Sequence, residues 1–200
     1  MIKKILLGIL MLGMVALAAI LIFENYVYNQ RVKFAELPWS SNSETNKDAP
    51  ITIVNFVDYS CPYCHEFHPL LNQAIENDNS FNIVIKPVGL LNQNSEDIAM
   101  IIMAAGLQKQ DGDLHNAIMK LPHPISPDDV YKAAETLPID MNKLRDIATS
   151  DEMRIALKQN NNLFYTLGFK AVPTILINGR AYSPTGDMPS PDTLKKILKN

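Results

Sequence analysis

Cys61 and Cys64 are the only cysteines in the 200-residue chain, and they stand three positions apart. A secreted scaffold stapled by disulfides needs more of them, so the pair is not a structural framework. At this spacing it is a redox couple, half of a metal site, or a haem attachment. Its flanks restrict the fold. Before it, Ile51-Thr52-Ile53-Val54-Asn55-Phe56-Val57 is β-branched and aromatic, as suits a buried strand. After it, Phe67, Leu70, Leu71, Ala74 and Ile75 recur at helical spacing, so the cysteines open an amphipathic helix.

The amino terminus sets the compartment. Lys3-Lys4 precedes Ile5 to Phe23, a run with no charged or strongly polar residue. It approaches the roughly 20 apolar residues that cross a bilayer as a helix. A cleaved signal peptide usually has an apolar stretch of roughly 7–15 residues and a small-residue cleavage site. Ala16-Leu17-Ala18 offers such a site, but the apolar run continues to Phe23, which favours an uncleaved anchor over residues 1–23. Both readings export the body of the chain, and the basic residues keep the short end in the cytoplasm. Without those 23 residues the chain carries 16 basic and 21 acidic residues, a net charge of −5. That balance suits solubility and argues against a nucleic-acid groove.

Residues 24–49 read as a polar tether, with Phe34, Leu37 and Trp39 as apolar exceptions that suit a short first strand. Phe81 to Val88 is a second strand-like run, broken by Pro87 and Gly89. Ser95 to Gly168 holds no convincing strand and reads as several helices. Ser95, Ser126 and Ser150 each precede acids, so a hydroxyl can cap the free N–H groups while the acids complement the dipole. Thr174-Ile175-Leu176-Ile177, an Asn178-Gly179 turn and Arg180-Ala181-Tyr182 form a hairpin, and a last helix covers Thr193 to Lys199. Strand, helix, strand, helical block, hairpin and helix give a small mixed sheet with helices on its faces.

Disulfide exchange needs a thiolate, hence a cysteine of lowered pKa. A helix amino terminus stabilises the anion through its unpaired N–H groups and dipole. Cys61 occupies that place, and Pro62 suits the first helical position. Cys61 is therefore the expected nucleophile. Cys64, one turn on, is the expected resolving thiol, able to attack a mixed disulfide at Cys61. Ala171-Val172-Pro173-Thr174 supplies an X–Pro bond, the common place for a cis peptide, just before a strand.

Phe56-Val57-Asp58-Tyr59-Ser60-Cys61-Pro62-Tyr63-Cys64-His65-Glu66-Phe67 and Val172-Pro173-Thr174 resemble the DsbA-family thiol–disulfide oxidoreductases of the bacterial envelope. The resemblance covers about residues 50–200. It implies an α/β fold: a thioredoxin-like mixed sheet over 50–91 and 169–200, with an inserted helical domain over 92–168, behind a single transmembrane anchor. Cys61 and Pro173 lie 112 positions apart, far more than a plain thioredoxin allows. By this similarity Val172-Pro173 is the cis-proline loop facing the disulfide, and Pro62 and Tyr63 tune the pair and meet substrate. The implied cofactor is the redox-active Cys61–Cys64 disulfide alone, with no metal. The implied partners are exported proteins with cysteine thiols and a DsbB-like, quinone-linked oxidase of the inner membrane. Two positions depart from the family pattern. The dipeptide is Pro-Tyr where the strongest oxidases carry Pro-His, and Asn55 stands where many thioredoxin-fold proteins bury an acid. Asp58 is the candidate substitute for proton transfer. The resemblance implies introduction of disulfides into exported proteins, with an isomerase or reductase kept reduced by a membrane electron donor as the alternative.

Cys61-Pro62-Tyr63-Cys64-His65 also matches a c-type haem attachment, which would need an open pocket beside His65. Cys61, Cys64, His65 and His68 are four metal-type ligands within eight residues, but so short a helical segment cannot readily surround a tetrahedral ion. Copper handling by the pair is a third alternative. His65 and His68 read as surface residues flanking the motif, and His115 and His123 as ordinary residues of the helical block. Met100, Met103, Met119 and Met153 have the spacing of helix cores.

Overall fold

The structure is a computed structural model that describes residues 2–37, 46, 48–184 and 186–199. Among them, helix α1 (Ile2–Glu36) precedes β1 (Ile51–Val57), α2 (Pro62–Ile75) and β2 (Phe81–Pro87). Five helices follow: α3 (Gln93–Gly106), α4 (Asp111–Ile118), α5 (Pro127–Ala134), α6 (Met141–Ala148) and α7 (Asp151–Thr166). β3 (Thr174–Ile177), β4 (Arg180–Tyr182) and α8 (Pro191–Lys199) complete the chain.

The sheet order is β2-β1-β3-β4. β1 runs parallel to β2, with Ile51 opposite Phe81, and antiparallel to β3, with Phe56 opposite Thr174. Side chains of β1 alternate between two cores, as the pleat requires. Ile53 joins Phe67 and Leu71 of α2 and Leu194 and Leu198 of α8 on one face. Val54 and Phe56 join Val32 and Ala35 of α1 and Leu163 and Phe164 of α7 on the other. There Phe56 meets Phe164 and Phe169 edge-on, with ring centroids 5.7 and 5.4 Å apart. Such pairs contribute roughly 0.5–1.5 kcal/mol each beyond their buried area. A third core, built around Ile98 to Ala105 of α3, reaches Val57, Tyr59, Cys61 and Cys64. The helical block thus closes over the end of the sheet where β1 finishes.

Three readings from sequence change. α1 runs without a break to Glu36, so residues 24–36 are helix and not tether, and Phe34 lies in that helix, not in a strand. Val32 and Ala35 are the cause, because they bury against the sheet and extend the helix beyond its apolar run. Trp39 and most of the remaining tether lie outside the described residues. The cap of α3 is Asn92, not Ser95, which sits one turn later and returns its hydroxyl to the Asn92 backbone. Both residue types cap helices, so the pattern alone left a one-turn ambiguity. Within the helical block, α7 divides its side chains between the α3 core and the sheet. Ser126 and Ser150 do cap α5 and α7.

Candidate active site

The end of β1 delivers the chain directly into α2, with Cys61 as N-cap and Pro62 in the first turn. Cys61 and Cys64 are both free thiols, 5% and 2% exposed. The Cys61 backbone N–H donates to the Asp58 carbonyl at 3.1 Å, and that of Cys64 donates to the Cys61 carbonyl at 3.0 Å. Across the site the Val172–Pro173 peptide is cis, and the Val172 carbonyl lies 3.6 Å from Cys61 Sγ. Tyr63 is 57% exposed and stands beside the pair at the surface.

The two thiols are electrostatically unlike. Cys61 is held down to about 7, first by the Cys64 thiol donating to it, then by the backbone N–H groups of Cys64 and Tyr63. Burial and the Asp58 carboxylate oppose that shift. Cys64 is pushed well up, first by burial and then by donating to, and lying against, Cys61. The Asp58 backbone N–H, directed at the Cys64 sulfur, only partly offsets this. A thiol near 7 is about half ionised at neutral pH, whereas Cys64 keeps its proton. The arrangement offers one attacking sulfur and one buried reserve.

Asp58 is fully buried, and its carboxylate accepts three backbone N–H groups. They are Ser60 at 2.9 Å, Leu90 at 2.8 Å and Leu91 at 3.2 Å. It pins the cysteine turn to the loop after β2. Asn55 lies buried in β1, and its Oδ1 has no hydrogen-bond partner among the described residues. The loop after β2 is clamped from α7, where Asn161 exchanges two 3.0 Å bonds with Gly89 and Asn160 donates to the Pro87 carbonyl. These two asparagines lie far from the cysteines in sequence, and no local pattern marks them.

The histidines differ from their expected places. His68 is buried, not superficial. Its Nδ1 lies 3.3 Å from His115 Nε2, and His115 Nδ1 lies 2.9 Å from the Tyr59 hydroxyl. Asn72 Nδ2 stands 3.0 Å from His68 Nε2, so four side chains form one hydrogen-bonded row behind the cysteines. Burial, the largest cause, pushes His68 down to about 4 and His115 well below its usual range. His65 Nε2 donates to the Tyr59 carbonyl at 3.0 Å, and burial lowers its pKa as well. His65 is thus neutral at pH 7 and supplies no cation to the Cys61 thiolate. That hydrogen bond also occupies the nitrogen an axial haem ligand would use. Among the described residues, no three His, Cys, Asp or Glu side chains converge as a metal site.

A model of the DSBA-like thioredoxin domain matches residues 52–199. The chain belongs to this family. DSBA-like proteins are thiol–disulfide oxidoreductases, and in this one the Cys61–Cys64 turn faces a cis-proline loop. Solved structures share the fold. The thiol–disulfide exchange protein α-DsbA2 of Wolbachia pipientis aligns with TM-score 0.71 at 19% identity, over 88% of this chain and 96% of that one. The catalytic domain of Proteus mirabilis ScsC gives 0.69 at 24%, over 82% and 91%. Oxidised BdbD of Bacillus subtilis gives 0.68 at 20%, over 79% and 91%. Two curated relatives, the Na(+)/H(+) antiporters NhaA 3 of Salinispora tropica and NhaA 1 of Salinispora arenicola, are each 22% identical over 68% of the chain. The matched segment is 21% of each antiporter's length.

Proposed function

We propose that this DSBA-like protein is held by α1 in the bacterial inner membrane, with its domain outside the cytoplasm, and introduces disulfides into exported proteins. The observation that carries disulfide exchange at this pair is its asymmetry: Cys61 lowered to about 7, Cys64 raised and buried beneath it. A substrate thiolate attacks Cys61 Sγ, the Cys61–Cys64 bond breaks, and Cys64 leaves as a thiolate that takes up a proton. A second substrate thiolate then attacks the substrate sulfur of the mixed disulfide and expels Cys61. Two electrons pass to the enzyme, and a DsbB-like, quinone-linked oxidase would remove them. Stabilising the Cys61 thiolate stabilises the reduced pair, which makes the disulfide an oxidant. Val172, Pro173 and Tyr63 are the substrate-facing groups, and Pro62 sets the helix start. Asp58, bound by three N–H groups, acts by placing the turn and by its charge near both sulfurs. The apolar run of α1 and the Lys3-Lys4 pair ahead of that run support the membrane placement.

One observation favours the reductive alternative, in which a membrane donor keeps the pair reduced. A Cys61 pKa of about 7 is close to thioredoxin's and well above DsbA's roughly 3.5. The reduction potential decides between them. A value near about −120 mV is expected for the oxidase, and one at or below roughly −200 mV would replace it with the reductant. A Cys64→Ala protein should accumulate mixed disulfides with envelope proteins; if none form, Cys64 is not the resolving thiol.

A further inference from the structure

α1 is docked as well as apolar. Tyr28 Oη donates to the Gly179 carbonyl at 3.0 Å, and Val32 Cγ1 lies 3.8 Å from where a Cβ on Gly179 would stand. Arg31 Nη1 donates to the Thr166 carbonyl at 2.8 Å, and Lys86 Nζ donates to the Leu37 carbonyl at 2.5 Å. Two of these contacts define a direction. Gly179 follows Ile177, which is paired with Ile53 near the start of β1. Lys86 is paired with Phe56 near its end. α1 therefore crosses the sheet diagonally in the sense of β1, leaving the domain toward its own amino terminus at the edge where β1 begins. The cysteines lie past the opposite edge, beyond Val57.

The connection is stiff. No Gly or Pro occurs from Met14 to Leu37, and the helix continues from the apolar run into the docked turns. We infer that the docked anchor holds the cysteine pair on the side of the domain turned away from the bilayer, so that its exchange partners are protein segments standing off the membrane. The nine helical rises from Phe23 to Val32 span about 13 Å, and β1 adds about 20 Å, so the thiols stand roughly 30 Å above the hydrocarbon edge after allowance for the diagonal crossing. Emerging exported chains and folded domains reach that height. A loop lying on the headgroups does not, so a membrane oxidase must offer its cysteines on an arm that does. This inference rests on the anchor and exchange readings above and adds where the exchange takes place.

Dye transfer to the bilayer tests the orientation without any exchange reaction. The full chain is placed in nanodiscs whose lipid headgroups carry an acceptor dye. One protein, Cys64→Ser, carries the donor on Cys61. A second, Cys61→Ser with Cys64→Ser and Asn79→Cys, carries it at the turn before β2. Transfer from residue 79 should exceed that from Cys61 several-fold, and equal or reversed transfer overturns the inference. A flexible eight-residue Gly-Ser insertion between Phe23 and Glu24 should raise transfer from Cys61; no change would show that the docked helix does not set the height. In parallel, a dithiol peptide is attached to the lipid by a short tether or by one reaching beyond roughly 30 Å. The wild-type chain should oxidise the long-tethered peptide many times faster, and equal rates overturn the inference. If neither tethered peptide nor the free peptide is oxidised, the exchange reading fails while the dye ordering still decides the orientation.

Discussion

The buried row of Tyr59, His115, His68 and Asn72 has a chemical consequence at the level of single protons. His68 sits at about 4 and His115 well below its usual range, each mainly because burial disfavours the imidazolium. Lys120 reinforces the shift of His68, His65 once protonated reinforces both, and Asp111 lies near Tyr59. In the unfolded chain a histidine titrates near 6.5, so between that pH and about 4 the unfolded state binds more protons. Stability from the neutral imidazoles is therefore complete above pH 6.5 and is lost as pH falls toward 4. His68 alone should account for roughly 2–3 kcal/mol of that loss. The measurement is the difference in urea-unfolding free energy between the wild type and a His68→Gln, His115→Gln variant across pH 7 to 4.5. Parallel curves would show that these rings are not the titrating groups. Little of this was legible beforehand, because His68 and His115 are 47 positions apart and meet only in the folded chain.

At the scale of elements, the loop between β2 and α3 does more for the site than its sequence suggests. Its Leu90 and Leu91 N–H groups hold the Asp58 carboxylate, and Asn160 and Asn161 clamp it from α7. Gly89 lets it run close to α3: a Cβ there would lie 2.7 Å from the Glu96 Cα and 2.9 Å from its N. Gly89→Ala must displace helix backbone, and we expect a cost of roughly 1–3 kcal/mol, read as a lower urea midpoint. An unchanged midpoint would mean that the loop yields freely. The strands, the cysteine turn, the hairpin and two of the serine caps were readable because each is written in consecutive residues. Val57 into Cys61-Pro62 and Asn178-Gly179 are such cases. The clamp was not readable, since asparagine on a helix carries no sign of what it will meet across 72 positions. The end of α1 was misread for the related reason that Val32 and Ala35 gain their apolar partners only in the folded sheet.

For the whole molecule, the same docking sets where a soluble form can begin. A protein starting at Glu24 keeps Tyr28, Arg31, Val32, Ala35 and Leu37, whereas one starting at Asn46 loses two buried side chains and three hydrogen bonds. The shorter form should be less stable by roughly 3 kcal/mol and expose apolar surface beside Phe56, seen as a lower melting temperature and dye binding. Equal melting temperatures would reduce the docked turns to a spectator. The register of the sheet also has a consequence for biosynthesis. Val172 meets Cys61 across 111 positions, and β3 joins β1 only after α3 to α7 have been made. The cysteines are therefore synthesised long before the carbonyl that faces them and the helices that bury Cys64. During that interval they are two ordinary thiols on an open strand end. The distinctive chemistry of the pair begins when the last third of the polypeptide has arrived and the sheet closes.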